Sequence, residues 1–289
     1  AWGLLKAILT SRSALKVLKA DFVLGVGGYI SAPPVLAAWT LGIPRAIHEA
    51  NVTPGMANRL CARVANLVLL TYDATASKLP GSAPCETVGC PVNPKVLAGD
   101  RAQAAARYGL DAAQPTLLAV GGSLGAETIN RLAIAAARSG RRSYQILHIT
   151  GPKYHEAITA DLNPISDGVV LVDYEDRMAD AYAVADLVLC RAGSSTLAEL
   201  TAIGKPSVLV PSPNVTDNHQ EGNARGLEEV GAAIVVVERD LDVDASVAQI
   251  DSLLADPDTL ARMAVSAKGQ GHLDTAKQVA ALLVERFLG

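Results

Sequence analysis

The sequence predicts an α/β chain built as two doubly wound domains, each a parallel sheet covered by helices. Three observations lead there. Short apolar runs alternate with longer stretches whose apolar residues recur at helical spacing, along the whole chain. The 289 residues are 50% hydrophobic but only 4% aromatic, which suits aliphatic strands layered between helices better than a β-sandwich. A turn-rich break, Gly89-Cys90-Pro91-Val92-Asn93-Pro94, separates two such series.

Composition also excludes several classes. The formal net charge is −4, without the basic surplus of a nucleic-acid protein, so no nucleic-acid partner is expected. The cysteines, Cys61, Cys85, Cys90 and Cys190, have no C-x-x-C spacing and read as reduced thiols. No apolar run approaches the ~20 residues of a membrane span. There is no heptad pattern, low-complexity run or convincing internal repeat. The chain opens on Ala1-Trp2-Gly3, which reads as a start part-way through a fold.

Residues 4–19 read as a helix with an apolar stripe of Leu4, Ile8, Leu15 and Leu18. Trp2, Leu5 and Leu9 form a second apolar cluster beside Lys6, Arg12, Lys16 and Lys19. Two readings stay open: an ordinary packed helix with a solvated basic face, or a helix lying on an anionic membrane surface. Phe22 to Leu24 is a strand leading into Gly25-Val26-Gly27-Gly28-Tyr29, and Pro33-Pro34 open a helix running to Leu41. Ile43 to Ile47 is a strand ending in the polar run His48-Glu49-Ala50-Asn51. A helix over Pro54–Val64 and strands at Leu67–Leu70 and Glu86–Val88 complete the first series.

After a helix at Arg101–Tyr108, the second series begins with the strand Thr116–Val120. It runs into Gly121-Gly122-Ser123-Leu124-Gly125 and a helix from Ala126 to Arg138. Strands follow at Gln145–Ile149, Val169–Val172, Leu187–Leu189, Ser207–Val210 and Ile234–Val237. Asp217-Asn218-His219-Gln220 opens another helix, and helices at Ala245–Leu254, Thr259–Ala267 and Asp274–Phe287 close the chain. Asp242-Val243-Asp244 has the form of a metal-binding pair, but its place before a helix favours capping, and no metal or other cofactor is expected.

The chemistry concentrates in Cys190-Arg191-Ala192-Gly193-Ser194-Ser195-Thr196-Leu197-Ala198-Glu199. A strand enters a glycine turn, and a helix begins whose first turn is rich in hydroxyls. The unpaired N–H groups of such a turn, with the helix dipole behind them, seat a phosphate. Glu199, about one turn further on, can accept from the vicinal hydroxyls of a ribose. Phosphate seat plus diol acceptor describes a nucleotide site. The competing reading is a capping box, Thr196-x-x-Glu199, that merely satisfies the helix end.

Six segments, in order, then resemble one family, the MurG glycosyltransferases of peptidoglycan synthesis. They are Gly25 to Ser31, His48 to Asn51, Gly89 to Val92, Gly121 to Gly125, Asp186 to Glu199, and Asp217 to Gln220 with Asn223-Ala224. The resemblance implies a GT-B fold of two Rossmann-like domains. One is residues 1–93 with the C-terminal helix 272–289, an incomplete acceptor and membrane-side domain. The other, 94–271, binds UDP-N-acetylglucosamine. It implies that Glu199 holds the ribose, that Ser194, Ser195, Thr196, Leu197 and Ala198 surround the diphosphate and sugar, and that Ser123 contacts phosphate. The backbone at Glu175 would face uracil, Gln220 would hold sugar hydroxyls, and Asn51 would reach the sugar from the first domain.

The implied reaction is an inverting transfer of N-acetylglucosamine from UDP-N-acetylglucosamine to the muramyl C4 hydroxyl of lipid I, giving lipid II. The partners implied are those two substrates and the cytoplasmic face of the cell membrane, touched peripherally. The family's glycine-rich, histidine-bearing opening loop, which carries the candidate base, lies before the segment where this chain starts. Cys90 and Asn93 stand where the family has an asparagine and an arginine. Loss of that cation removes a charged hydrogen bond worth roughly 1.5–3 kcal/mol. Alternatives are a UDP-sugar-binding fragment without turnover, a glycolipid transferase or a UDP-sugar epimerase. A dinucleotide oxidoreductase is disfavoured because neither glycine turn completes G-x-G-x-x-G with a later acid.

Overall fold

The computed structural model describes residues 2–215 and 218–288 and divides by spatial contact into two compact units. The first comprises Ala1–Pro91, Val215–Gly222 and His272–Gly289, and the second Val92–Asn214 and Asn223–Gly271. Division of the sequence at the proline-rich break assigned 215–222 to the second series. In the structure a Cβ on Gly222 would lie in van der Waals contact with Val52 and Thr53, so packing draws this segment to the first unit.

The first unit holds four parallel strands in chain order, β1 (Val23–Gly25), β2 (Arg45–Glu49), β3 (Leu67–Leu70) and β4 (Cys85–Thr87). Alternation along the buried strands decides which face each residue takes. Ile47, Val68 and Leu70 pack with α1 (Trp2–Leu18), α2 (Ala32–Leu41) and α3 (Met56–Cys61). Ala46, Leu67 and Leu69 pack instead against Val279 and Leu283 of the C-terminal helix, Thr275–Phe287. That helix is fixed further by stacking of Phe287 on Phe22 and by an ion pair of Arg286 with Glu86 at 2.7 Å. Asp274 occupies its N-cap position without a side-chain capping bond. Its carboxylate instead lies 3.5 Å from Lys277.

Helix α1 departs from its expected stripe. Leu15 is buried and Ile8 packs against the core, but Leu4 and Leu18 are exposed together with Trp2, Leu5 and Leu9. Helix α2 covers only part of α1, so the helix shows solvent more apolar surface than its periodicity suggests. Among the described residues no helix is long and apolar enough to cross a membrane.

The second unit is a six-stranded parallel sheet. Its strands are β5 (Thr116–Val120), β6 (Gln145–Ile149), β7 (Val169–Val172), β8 (Leu187–Cys190), β9 (Ser207–Leu209) and β10 (Ala233–Val235). They lie in the order β10-β9-β8-β5-β6-β7. Successive strands step one way from β5 and the other way from β8, so the chain reverses direction between these two neighbours. One face, with Leu118, Val120, Val188 and Cys190, carries α4 (Arg101–Tyr108), α7 (Met178–Val184), α8 (Ser194–Ile203) and the later part of α9 (His219–Glu229). The other, with Leu117, Ala119, Leu187 and Leu189, carries α5 (Glu127–Ala137), α10 (Val243–Leu254) and much of α11 (Pro257–Gly269). A shorter helix, α6 (His155–Asp161), links β6 to β7, and the C-terminal helix becomes α12.

Leu189 is fully buried in β8 beside the point of reversal. Leu189→Ala is expected to lower unfolding stability by about 2–5 kcal/mol, read from urea midpoints at constant m-value.

Candidate functional site

In open parallel sheets ligands sit at the carboxyl ends of the strands, where the strand order reverses. Here that point lies between β5 and β8, whose last residues, Val120 and Cys190, pair directly. From it the turn Gly121–Ala126 leads to α5 on one face of the sheet, and Arg191–Gly193 leads to α8 on the other. Ser123 and the Ser194–Glu199 stretch, far apart in sequence, therefore belong to adjoining turns at one crevice.

The amino end of α8 is unusual within its unit. Helices α4, α10 and α11 are capped by the carboxylates of Asp100, Asp242 and Asp256, each accepting from a first-turn amide. Helices α5, α6 and α7 carry Glu127, Glu156 and Asp180 in their first turns. Helix α8 has neither device. Its N-cap is Gly193, with no acid in the first turn. Among the described residues nothing accepts from the amides of Ser194, Ser195 or Thr196, and their three hydroxyls make no hydrogen bond. The positive end of the helix is left uncompensated. A Cβ on Gly193 would meet nothing within 4 Å, so the glycine is not required by folding and leaves open space before the amides.

This settles the capping-box alternative. The helix begins at Ser194 rather than at Thr196, so Thr196 is inside the first turn and cannot be the N-cap. Leu197 is buried in the core and Ala198 is partly buried against it, so these two contribute backbone and packing. Glu199 leans back over the first turn, as helical side chains do. Its Oε2 accepts from the Tyr182 hydroxyl at 2.9 Å, and Oε1 has no partner among the described residues.

Ser123 is exposed at the tip of its turn, and its hydroxyl makes no bond among the described residues. The turn is held by close backbone packing: Gly125 has φ +75° and lies against Thr150 and Gly151, where a Cβ would overlap the Thr150 carbonyl. Beyond β6, Asn130 ties this region together, donating to the Thr150 carbonyl at 3.0 Å and meeting the His148 ring at 2.8 Å. Burial, with the nearby His155 ring, brings the His148 imidazole down to about 4, so it is neutral.

Glu175, in the loop after β7, turns its side chain inward. It accepts from the Tyr108 hydroxyl at 2.7 Å, the Arg177 amide at 2.7 Å and the Arg107 guanidinium at 3.1 Å. Burial pushes this carboxyl up. Those three donors and the Arg107 charge outweigh it and hold the group below its ordinary value.

Two further anchors escaped the sequence reading. Arg191 donates to the carbonyls of Val210 and Pro211 at 3.1 and 3.3 Å and pairs with Glu238 at 2.5 Å. Glu238 also accepts from Thr128 in the first turn of α5, 2.5 Å away. These bonds bind the turn before α8 to the start of α5. Nothing in local periodicity signals them, since their partners are distant in sequence.

In the first unit, His48 and Glu49 are buried organisers of a loop. The His48 ring meets the Gly89 carbonyl at 2.9 Å, and desolvation lowers its basicity. Glu49 accepts from the Asn51 amide and side chain, the Gly55 amide and Asn58 at 2.9–3.1 Å. Asn51 is therefore held on its Glu49 side. Gln220 lies in the first turn of α9, half buried, in the segment grouped with this unit. Asp217, also part of that motif, is outside the described residues. Asn93 spends its side chain capping a short turn through the Lys95 amide at 3.0 Å.

Comparison with known proteins fits this geometry. Residues 116–279 match the glycosyltransferase family 28 C-terminal domain and residues 1–70 its N-terminal domain. A UDP-N-acetylglucosamine–N-acetylmuramyl-(pentapeptide) pyrophosphoryl-undecaprenol N-acetylglucosamine transferase of Bacillus cereus is 38% identical over 280 residues, covering 95% of this chain and 76% of that one.

The chain belongs to the MurG family. The crystal structure of Acinetobacter baumannii MurG superposes with a TM-score of 0.80 at 31% identity, over 98% of this chain and 79% of that one. The two parallel α/β units are thus those of a GT-B fold. A UDP-GlcNAc 2-epimerase from Neisseria meningitidis bound to UDP-GlcNAc has a TM-score of 0.70 at 14% identity, covering 98% of this chain and 81% of that one. At that identity the likeness is one of fold alone, and it does not favour the epimerase alternative.

Because the depressed Glu175 group favours the folded state only when ionised, its contribution is present above the unfolded carboxyl value of about 4.3 and disappears as pH falls through the folded value. Glu175→Gln is expected to cost about 1–3 kcal/mol at pH 7, with the gap from the parent protein closing on acidification, read by denaturant titration across pH.

Proposed function

We propose that this MurG-family protein moves N-acetylglucosamine from UDP-N-acetylglucosamine to the muramyl C4 hydroxyl of undecaprenyl-linked lipid I, forming lipid II for peptidoglycan. The observation that carries the reading is the amino end of α8: bare amides, no compensating acid, and Glu199 one turn away at the reversal of strand order.

In this reading the amides and hydroxyls of Ser194, Ser195 and Thr196 hold the diphosphate, with Ser123 donating from the adjoining turn. As the glycosidic bond breaks, negative charge accumulates on the departing UDP. Fixed N–H dipoles stabilise it without reorganising. Glu199 accepts from the ribose diol, main chain near Glu175 meets uracil, and Asn51 and Gln220 serve the sugar hydroxyls. The attacking acceptor hydroxyl gives up its proton to a base as the bond forms. His48 is unsuited to that task, because its ring is buried and bonded to the Gly89 carbonyl.

Glu199→Ala is expected to weaken UDP binding by about tenfold to a hundredfold, since a charged acceptor is lost, while 2′,3′-dideoxy-UDP binds almost as before. Calorimetry with both ligands tests this, and equal losses would contradict the ribose assignment.

A lipid-linked acceptor requires work at a membrane surface, and α1 supports that. Trp2 is 82% exposed, with Leu5 and Leu9 also exposed among Lys6, Lys16 and Lys19. An apolar cluster rimmed by lysines suits the anionic cytoplasmic leaflet and a peripheral attachment. Sedimentation with vesicles of about one-third phosphatidylglycerol should retain the protein. Replacing Trp2, Leu5 and Leu9 by Ser should release it without altering affinity for UDP.

A further inference from the structure

Tyr182 stands behind Glu199. It projects from α7, its residue is 3% exposed, and its ring belongs to the apolar layer beneath α8 with Leu197 and Leu200. Ala179, Ala183 and Ile203 line a cavity of about 290 Å³ together with this ring. Its hydroxyl is 2.9 Å from Glu199 Oε2. An ionised carboxylate can only accept, so the phenol is the donor. Burial, reinforced by the Glu199 charge, raises the phenol well above its ordinary value, and it stays protonated across the physiological range.

We propose that Tyr182 is a positioning residue for the nucleotide: its hydroxyl fixes the rotation of the Glu199 carboxylate so that Oε1 is turned toward the ribose diol. The inference rests on the reading of Glu199 as the ribose acceptor and adds the element that makes it one.

The terminal torsion of a glutamate is broad and nearly two-fold, so a half-exposed Glu199 without a partner would sample many orientations. A ribose would then have to order it on binding. One bond from a rigid, buried donor removes that freedom beforehand and uses only one oxygen. The other oxygen keeps its full capacity to accept. A purely structural bond would satisfy the buried phenol equally well, but it would have no reason to affect one nucleotide more than another.

The test is calorimetry of Tyr182→Phe, which keeps the ring and its packing, with UDP and with 2′,3′-dideoxy-UDP. The expected result is UDP binding weakened about tenfold, and dideoxy-UDP binding changed by less than about twofold. In a Glu199→Ala background the same Tyr182→Phe change should have no further effect on UDP, because the two residues act through one contact. Equal weakening of both ligands by Tyr182→Phe, or no weakening of UDP, overturns the positioning role. If Glu199→Ala separates the two ligands and Tyr182→Phe does not, only this inference falls. If Glu199→Ala itself fails to separate them, the ribose reading falls and takes this inference with it.

Discussion

A helix that starts inside a folded domain carries unpaired amides and a partial positive charge at its mouth. The second unit neutralises this end in helix after helix, with an aspartate cap or a first-turn acid, yet leaves it bare in α8. The bare end stands where neighbouring strands lead to opposite faces of the sheet. The proposed chemistry follows from that one uncompensated charge. An anion is favoured there, and in the proposed function a nucleotide diphosphate bound at it would bring a ribose within reach of Glu199 on the next turn.

Such a mouth is useful only if it is rigid. Arg191 and Glu238 tie the turn before α8 to the ends of β9 and the start of α5. Gly125 lets the other turn lie flat on Thr150 and Gly151. The buried cluster of Glu175, Arg107 and Tyr108 secures the loop beyond β7. In the first unit Glu49 does similar work, gathering donors from Asn51, Gly55 and Asn58 around one buried carboxylate. Each of these acids is consumed by the protein itself. Glu199 differs in keeping one oxygen without a partner among the described residues.

Much of this was legible residue by residue. The strands at Thr116–Val120, Gln145–Ile149 and Val169–Val172 coincide with β5, β6 and β7, because continuous aliphatic runs bounded by turn residues are a local signal. The proline pair at the start of α2 and the aspartate before α10 likewise act as read. Failures have local causes too. Thr196-x-x-Glu199 has the spacing of a capping box, but the first helical residue is two positions earlier, a shift that spacing alone cannot reveal. In α1 periodicity marks a stripe, yet Leu4 and Leu18 stay exposed because the neighbouring elements cover only the middle of the helix.

The sequence by itself determined the alternation of strand and helix, the two glycine turns, the hydroxyl-rich helix start and the acid one turn beyond it, since all of these depend on residues near one another in the chain. Only the tertiary structure decided that the two turns adjoin, that Glu175 turns inward, and that a phenol from another helix holds one oxygen of Glu199. Those facts depend on strand order and on hydrogen bonds between distant residues, which the packing of the sheet and its helices brings together and which no periodicity records.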